Sequence, residues 1–182
     1  MPGTIHPKND YICGCDFARM GEDSTVIIIV ERQWNKDEIY VVYIEELKHT
    51  KLTEVIGKIK LLNEKFNFIK LYLDTTGIGA GPGDSLSEEL GSDKVECITF
   101  TTQSKEDMYS NLKKLMEQGR LKIPNHKKLI YQMTDFRYEV MSSGHLKLHH
   151  SERGHDDYPD ALALACWYWK GEEVEYYESW IF

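Results

Sequence analysis

Gly154-His155-Asp156-Asp157-Tyr158-Pro159-Asp160-Ala161-Leu162-Ala163-Leu164-Ala165 is the stretch around which this 182-residue chain is organised. Three carboxylates fall within five residues, and an Ala/Leu run with the composition of a helix follows at once. Asp157 and Asp160 are three apart, so both leave one face of the first turn. Pro159 suits that turn, where a missing N–H costs nothing. The plain reading is that Asp156 or Asp157 caps the helix and the rest is a solvated turn. Capping needs one such residue, however, and like charges this close repel unless something cationic lies between them.

Two further aspartates upstream close apolar runs. Residues 11–16 read as a first strand ending in Asp16, and residues 68–74 as a fourth ending in Asp74. Between them, residues 25–32 form a β-branched second strand and residues 38–45 a third, an antiparallel meander. Leu52, Val55, Ile56, Ile59, Leu62 and Phe66 repeat at helical spacing. After Asp74 come a glycine-rich loop (75–83), a short helix (84–90) and a fifth strand (94–100). Helices follow at about 105–118, with Met108, Leu112 and Leu115 inward, and at about 126–140, with Leu129, Ile130, Met133 and Phe136 inward. Residues 145–150 read as one more strand. The last helix runs from Asp157 to near Lys170 and Gly171. Helical crossovers make the fourth and fifth strands parallel to the first.

The expected architecture is therefore α/β: a mixed sheet of five or more strands, an antiparallel meander joined by parallel strands, flanked by helices. The expected divisions are a linker at 1–10, one domain at 11–170 and an acidic, aromatic tail at 171–182. No apolar run approaches the roughly 20 residues of a membrane span, and residues 1–10 lack a signal-peptide core. Cys13, Cys15, Cys97 and Cys166 contain no CxxC pair; they read as reduced and mostly buried, not as a zinc site. The net charge of -8 argues against nucleic-acid binding by the whole surface. It hides a basic middle: residues 105–128 carry seven lysines and arginines against three acids. Lys105, Lys113, Lys114, Arg120 and Lys122 could contact phosphates or simply solubilise helix faces, and Arg19, beside Asp16, is the better phosphate candidate.

In a sheet where the first and fourth strands are parallel neighbours, Asp16 and Asp74 end side by side, where ligand sites lie in such sheets. A helix packed over that edge would add its own carboxylates. Oxygen-only ligands of this charge select Mg²⁺, Mn²⁺ or Ca²⁺ over zinc. Two Mg²⁺ ions sharing carboxylates are a phosphodiester-hydrolysing device.

Here the residues resemble a family. Asp16-x-Ala18-x-x-Gly21-x-Asp23-Ser24-Thr25, then Leu73-Asp74-Thr75-Thr76-Gly77-Ile78-Gly79, then His155-Asp156-Asp157-x-x-Asp160-Ala161-Leu162-Ala163 look like the C-terminal nuclease domain of phage terminase large subunits, in the RNase H-like superfamily with RuvC-type resolvases. Ser104-Lys105 and Gly119-Arg120-Leu121-Lys122-Ile123-Pro124 fit the same family. The resemblance implies an RNase H-like fold and a Mg²⁺- or Mn²⁺-dependent endonuclease with two ions, acting on double-stranded viral DNA in the host cytoplasm. It implies Asp16 bridging both metals, Asp74 holding one and Asp157 the other, with Asp156 assisting. Asp160 is a further ligand or a helix stabiliser. His155 bonds the site or the scissile phosphate, or is a plain loop histidine. The 77–83 loop lacks the Gly-Lys-Ser/Thr ending of a P-loop, so the family's ATPase domain is expected elsewhere, with the small terminase subunit and portal as implied partners. A junction resolvase and a non-catalytic DNA- or protein-binding scaffold are the rival readings.

Overall fold

The computed structural model describes residues 5–18, 24–33, 35–135, 137–140, 146–149 and 156–172. The first three strands, β1 (Asp10–Asp16), β2 (Ser24–Arg32) and β3 (Ile39–Lys48), form the antiparallel meander. Helix α1 (Leu52–Phe66) crosses to β4 (Lys70–Asp74), and α2 (Gly81–Leu90) crosses to β5 (Val95–Ile98). Both strands lie parallel to β1, as crossover connections require. After α3 (Thr102–Glu117), the two-residue β6 (Leu121–Lys122) joins the free edge of β3 in parallel. Among the described residues the sheet order is β5-β4-β1-β2-β3-β6.

The central strands read as continuous apolar runs because both faces are covered. Alternation assigns the faces. Tyr11, Cys13, Cys15, Ile27 and Ile29 pack under α1 and α2, while Ile12, Val26, Ile28 and Tyr72 pack under the later helices. The last helix, α5 (Asp157–Cys166), is buried from Tyr158 to Cys166 and lies along β1 and β2. A stripe of alanines lets it sit that close, and so does Gly14. A Cβ on Gly14 would stand 2.3 Å from the Ala161 carbonyl oxygen and 2.4 Å from the Ala165 nitrogen.

Several boundaries differ from the sequence expectation, each for a local reason. β1 begins at Asp10, and Ile5 packs against the α1-side core, so the stretch read as a linker already contributes to the domain. Pro82 in its first turn starts α2 three residues early. Thr101 starts α3 early as well, because its side chain accepts from the Ser104 backbone N–H at 3.1 Å. The helix expected over 126–140 is instead α4 (Lys127–Asp135) followed by β7 (Arg137–Val140). β7 pairs with β8 (Leu146–His149) in a separate two-stranded sheet, which satisfies backbone groups that a longer helix would have used. α4 turns Leu129 into the core, and Ile130, expected inward, is exposed because the next residue of a helix points about 100° away. Phe136 lies outside the described residues. α5 ends at Cys166, in a 3-10 turn at Trp167–Trp169. Of the cysteines, Cys13, Cys15 and Cys166 are buried thiols, and Cys97 is exposed.

Candidate metal centre

Asp16 and Asp74 are direct register partners at the ends of β1 and β4. The period of two puts Asp16 on the face of Ile12 and Gly14, and Asp74 on the face of Tyr72, the face that α5 covers. Both side chains are buried. The contact of Gly14 with Ala161 and Ala165 fixes how far α5 slides along β1. The N-terminus of α5 therefore arrives over the strand ends, and its acids join the two already there.

The electrostatics register this gathering. The Asp16 carboxyl is pushed well above the usual carboxylate range, first by burial and then by Asp160, Asp74, Asp157 and Asp156. Asp160 is pushed up to about 7 by burial, against the opposing pull of Lys105 and a hydrogen bond from Tyr109. Asp74 has its own local partner: its Oδ1 accepts from the Thr76 N–H at 2.8 Å, which turns the chain away after the strand.

A cation does sit among the acids. Lys105 Nζ donates to Asp156 Oδ2 and Asp160 Oδ2, both at 2.6 Å, and lies 5.0 Å from the centre of the Phe100 ring. Burial works against its charge, yet Asp160 and Asp156 overcome that and raise its pKa. One turn further along α3, the Tyr109 hydroxyl donates to Asp160 Oδ1 at 2.6 Å. Thus α3 clamps the start of α5 through one buried carboxylate. The plain reading, a cap by Asp156 or Asp157, fails for Asp156: it occupies the cap position, but its side chain makes no capping bond. Gln132 of α4 does that work, accepting from the Tyr158 N–H at 3.0 Å.

Asp16, Asp74, Asp156, Asp157, Asp160 and Lys105 are thus brought together. Arg120 and Lys122 are not. Arg120 is buried at the opposite end of the sheet, bonded to Asp37 and, at 2.8 Å, to Glu172. Its neighbour Lys122 pairs with Glu38 at 3.4 Å. Arg19 and His155 lie outside the described residues. Tyr109, Gln132 and Gly14 escaped the sequence reading. A glycine inside a strand does signal close backbone approach, and Tyr109 stands four residues after Lys105, on the same helix face. Nothing local marks Gln132.

Among the described residues, no three side chains stand ready-made as a metal-ligand set. The donors nevertheless fit a hard divalent ion. They are all carboxylate oxygens, and Lys105 leaves Asp16 still pushed far upward. Without a metal ion, Asp16 and Asp160 relieve the crowding by holding their protons more tightly.

Comparison with known proteins identifies the family of this fold. A family model described as the terminase RNaseH-like domain matches residues 13–168. The terminase large subunit of Thermus virus P23-45 is 29% identical over 170 residues, which cover 92% of this chain and 33% of that protein. The chain thus spans about a third of the length of the curated relatives it matches. The crystal structure of the large terminase nuclease from thermophilic phage G20c with bound magnesium aligns with a TM-score of 0.71 at 27% identity, covering 89% of this chain and 82% of that one. The large terminase nuclease domain of Thermus phage P74-26 aligns with a TM-score of 0.74 at 25% identity, over 93% and 84% of the two chains.

Proposed function

The chain belongs to the terminase RNase H-like domain family, and from that premise we propose that it is a divalent-metal-dependent endonuclease that hydrolyses double-stranded viral DNA during genome packaging. The observation that carries the reading is the meeting of Asp16 and Asp74 with the acidic start of α5 at one sheet edge. That the G20c relative was solved with bound magnesium supports it.

Asp16, Asp74 and Asp157 would hold the cation, with Asp156 assisting. Bound there, two Mg²⁺ or Mn²⁺ ions would supply an activated water and countercharge for the leaving oxygen. The chain's own groups do the positioning. Asp16 and Asp74 ride on neighbouring central strands, so their separation is set by the ladder and not by flexible loops. Asp157 is delivered by α5, whose placement depends on Gly14 below it and on Gln132 at its first turn. Lys105 and Tyr109 hold Asp160, which makes Asp160 a positioning residue for that helix start and not a ligand. The Asp156 carboxylate has its Oδ2 bonded to Lys105, which holds it beside the site.

An ATPase domain, a small terminase subunit and a portal are the partners this reading implies, in the host cytoplasm. Supercoiled-plasmid cleavage in Mg²⁺, Mn²⁺, Ca²⁺ and EDTA tests it, with Asp16→Asn and Asp157→Asn alongside. Cleavage in Mg²⁺ or Mn²⁺, lost in EDTA and in both variants, is expected. No cleavage and no calorimetric metal binding would favour the scaffold reading. Strong preference for branched over linear duplex would favour the resolvase.

A further inference from the structure

A second feature lies at the same end of the sheet as the carboxylates. Ser24 and Lys48 are register partners where β2 begins and β3 ends. Together with α4 and Asp157 they enclose a cavity of about 460 Å³. Its walls carry Lys48, Lys127 and Lys128 against two carboxylates, Glu46 and Asp157. Glu46 is already occupied: Lys128 bonds it, Ser24 Oγ donates to it at 3.0 Å, and Lys48 lies at 3.8 Å. Lys127 takes part in no ion pair among the described residues. Tyr131, on the rim, is 72% exposed, an unusual place for a large ring. In a chain of net charge -8, a lysine-lined hollow beside a cluster of aspartates calls for an anionic occupant.

We propose that the Lys48–Lys127–Lys128 cavity seats backbone phosphates of the duplex strand that runs on from the cleavage site. The inference rests on the nuclease reading for its substrate. Three features favour a nucleic acid over a small anion. The cavity is open to solvent and lies between β3 and α4. Its cations come from two elements, Lys48 from the end of β3 and Lys127 and Lys128 from the start of α4. A hydroxyl-bearing ring stands at the rim, a side-chain type that commonly bonds phosphate and sugar. Asp157 in its lining ties the seat to the chemistry, so a strand held here would be led toward the carboxylates. The lysines on this face also offset, locally, the repulsion that the aspartates exert on DNA.

The test is duplex binding by fluorescence anisotropy on the 182-residue chain, in Ca²⁺ and in EDTA, from 20 to 200 mM salt. K48Q/K127Q/K128Q is compared with wild type and with K65Q, a lysine on α1 across the sheet. Removing each seat lysine is expected to lower the salt slope by about 1 and to weaken two unrelated duplex sequences equally. K65Q should behave as wild type, and melting temperatures should show all variants folded. If the triple variant fails to fold, K127Q alone carries the test, since its side chain holds nothing else in place. Unchanged affinity and slope in the variants, or no saturable wild-type binding at 20 mM salt, would overturn the proposal. Plasmid cleavage separates the two readings. Lysine-dependent binding without cleavage breaks the nuclease reading and keeps the seat. Cleavage with an unaltered KM in the triple variant breaks the seat and keeps the nuclease.

Discussion

The two ends of the sheet handle charge in opposite ways. Where β1 begins, Arg120 is buried against Asp37 and Glu172, and Arg32 reaches Asp10 at 3.2 Å and Glu172 at 2.9 Å. Two guanidinium groups there meet three carboxylates, and the cluster ties β1, β2 and β6 to the chain beyond α5. Where β1 finishes, Asp16, Asp74, Asp156, Asp157 and Asp160 gather, and Lys105 meets two of them, Asp156 and Asp160. The first end is organised for stability. The second accumulates like charge inside the fold, which opposes folding, and such an arrangement persists where function requires it. Substitutions at the two ends should therefore part company: at one they cost stability and spare activity, at the other the reverse.

The largest effect is expected at the acidic end. Asp74→Asn or Asp16→Asn should cut metal-dependent plasmid cleavage by more than about 100-fold, beyond what losing an outer-shell partner costs. The metal-free melting temperature of Asp16→Asn should hold or rise, because a buried carboxylate facing four others becomes neutral. Calorimetry reads this directly. A fall in melting temperature for Asp16→Asn would mean that the acidic end is stabilising after all, and the contrast between the ends would collapse.

Gly14→Ala comes next and strikes both properties. The new Cβ meets backbone atoms of α5 at 2.3 and 2.4 Å, and backbone yields only by moving the helix. A loss of about 3 kcal/mol in denaturant unfolding is expected, at the upper end of overpacking costs. Cleavage should fall too, since Asp157 rides on that helix. Gly57→Ala is the control: it meets nothing within 4 Å and lies in the middle of α1, so it should stabilise by about 1 kcal/mol.

At the opposite end, Arg120→Ala should cost about 2 kcal/mol, the range for hydrogen bonds to charged groups. Its partners Asp37 and Glu172 are 56% and 38% exposed and can rehydrate, which keeps the cost below that of a fully buried pair. Cleavage and duplex affinity should be unaltered. A loss of DNA binding would restore Arg120 to the role its sequence context suggested.

Arg120 also illustrates what the sequence could and could not convey. Asp16 and Asp74 were legible because each closes an apolar run, and a strand's end is a local property. The acidic start of α5 was legible for the same reason, as was the mixed sheet with its parallel crossovers. Which cation meets which acid was not. Lys105 and Asp160 are 55 residues apart and Arg120 and Asp37 83 apart, so only the tertiary fold pairs them. Lys105 and Arg120 both read as phosphate contacts or as plain solubilising charges; instead one clamps the acids of α5 and the other braces the far end of the sheet. The end of α4 failed for a different reason. Phe136 to Val140 suits helix or strand alike when read alone, and β7 forms because β8 offers it a ladder.

The smallest effect probes the clamp itself. Tyr109→Phe removes one hydrogen bond, 2.6 Å from a buried carboxylate, and leaves the ring in place. A cost of about 1.5 kcal/mol is expected where Asp160 is ionised, because the bond is then charge-assisted. The pH dependence gives the prediction its sign. Asp160 has a folded-state pKa of about 7, above the 3.8 of an unperturbed aspartate. Between those values the folded protein holds a proton that the unfolded chain has released. Metal-free stability therefore falls as pH rises through this window and levels off above about 7. Burial pushes Asp16 the same way, so the two slopes add. Along that course the Tyr109 hydroxyl passes from a neutral partner to a charged one. The penalty of Tyr109→Phe should accordingly be small near pH 5 and reach its full value near pH 8, as thermal unfolding in EDTA can follow. Saturating Mg²⁺ should flatten the wild-type slope by giving the carboxylates a partner that the proton must displace. A penalty independent of pH would mean that Tyr109 supports α5 by packing alone, and that Asp160 is not the titrating centre of the clamp.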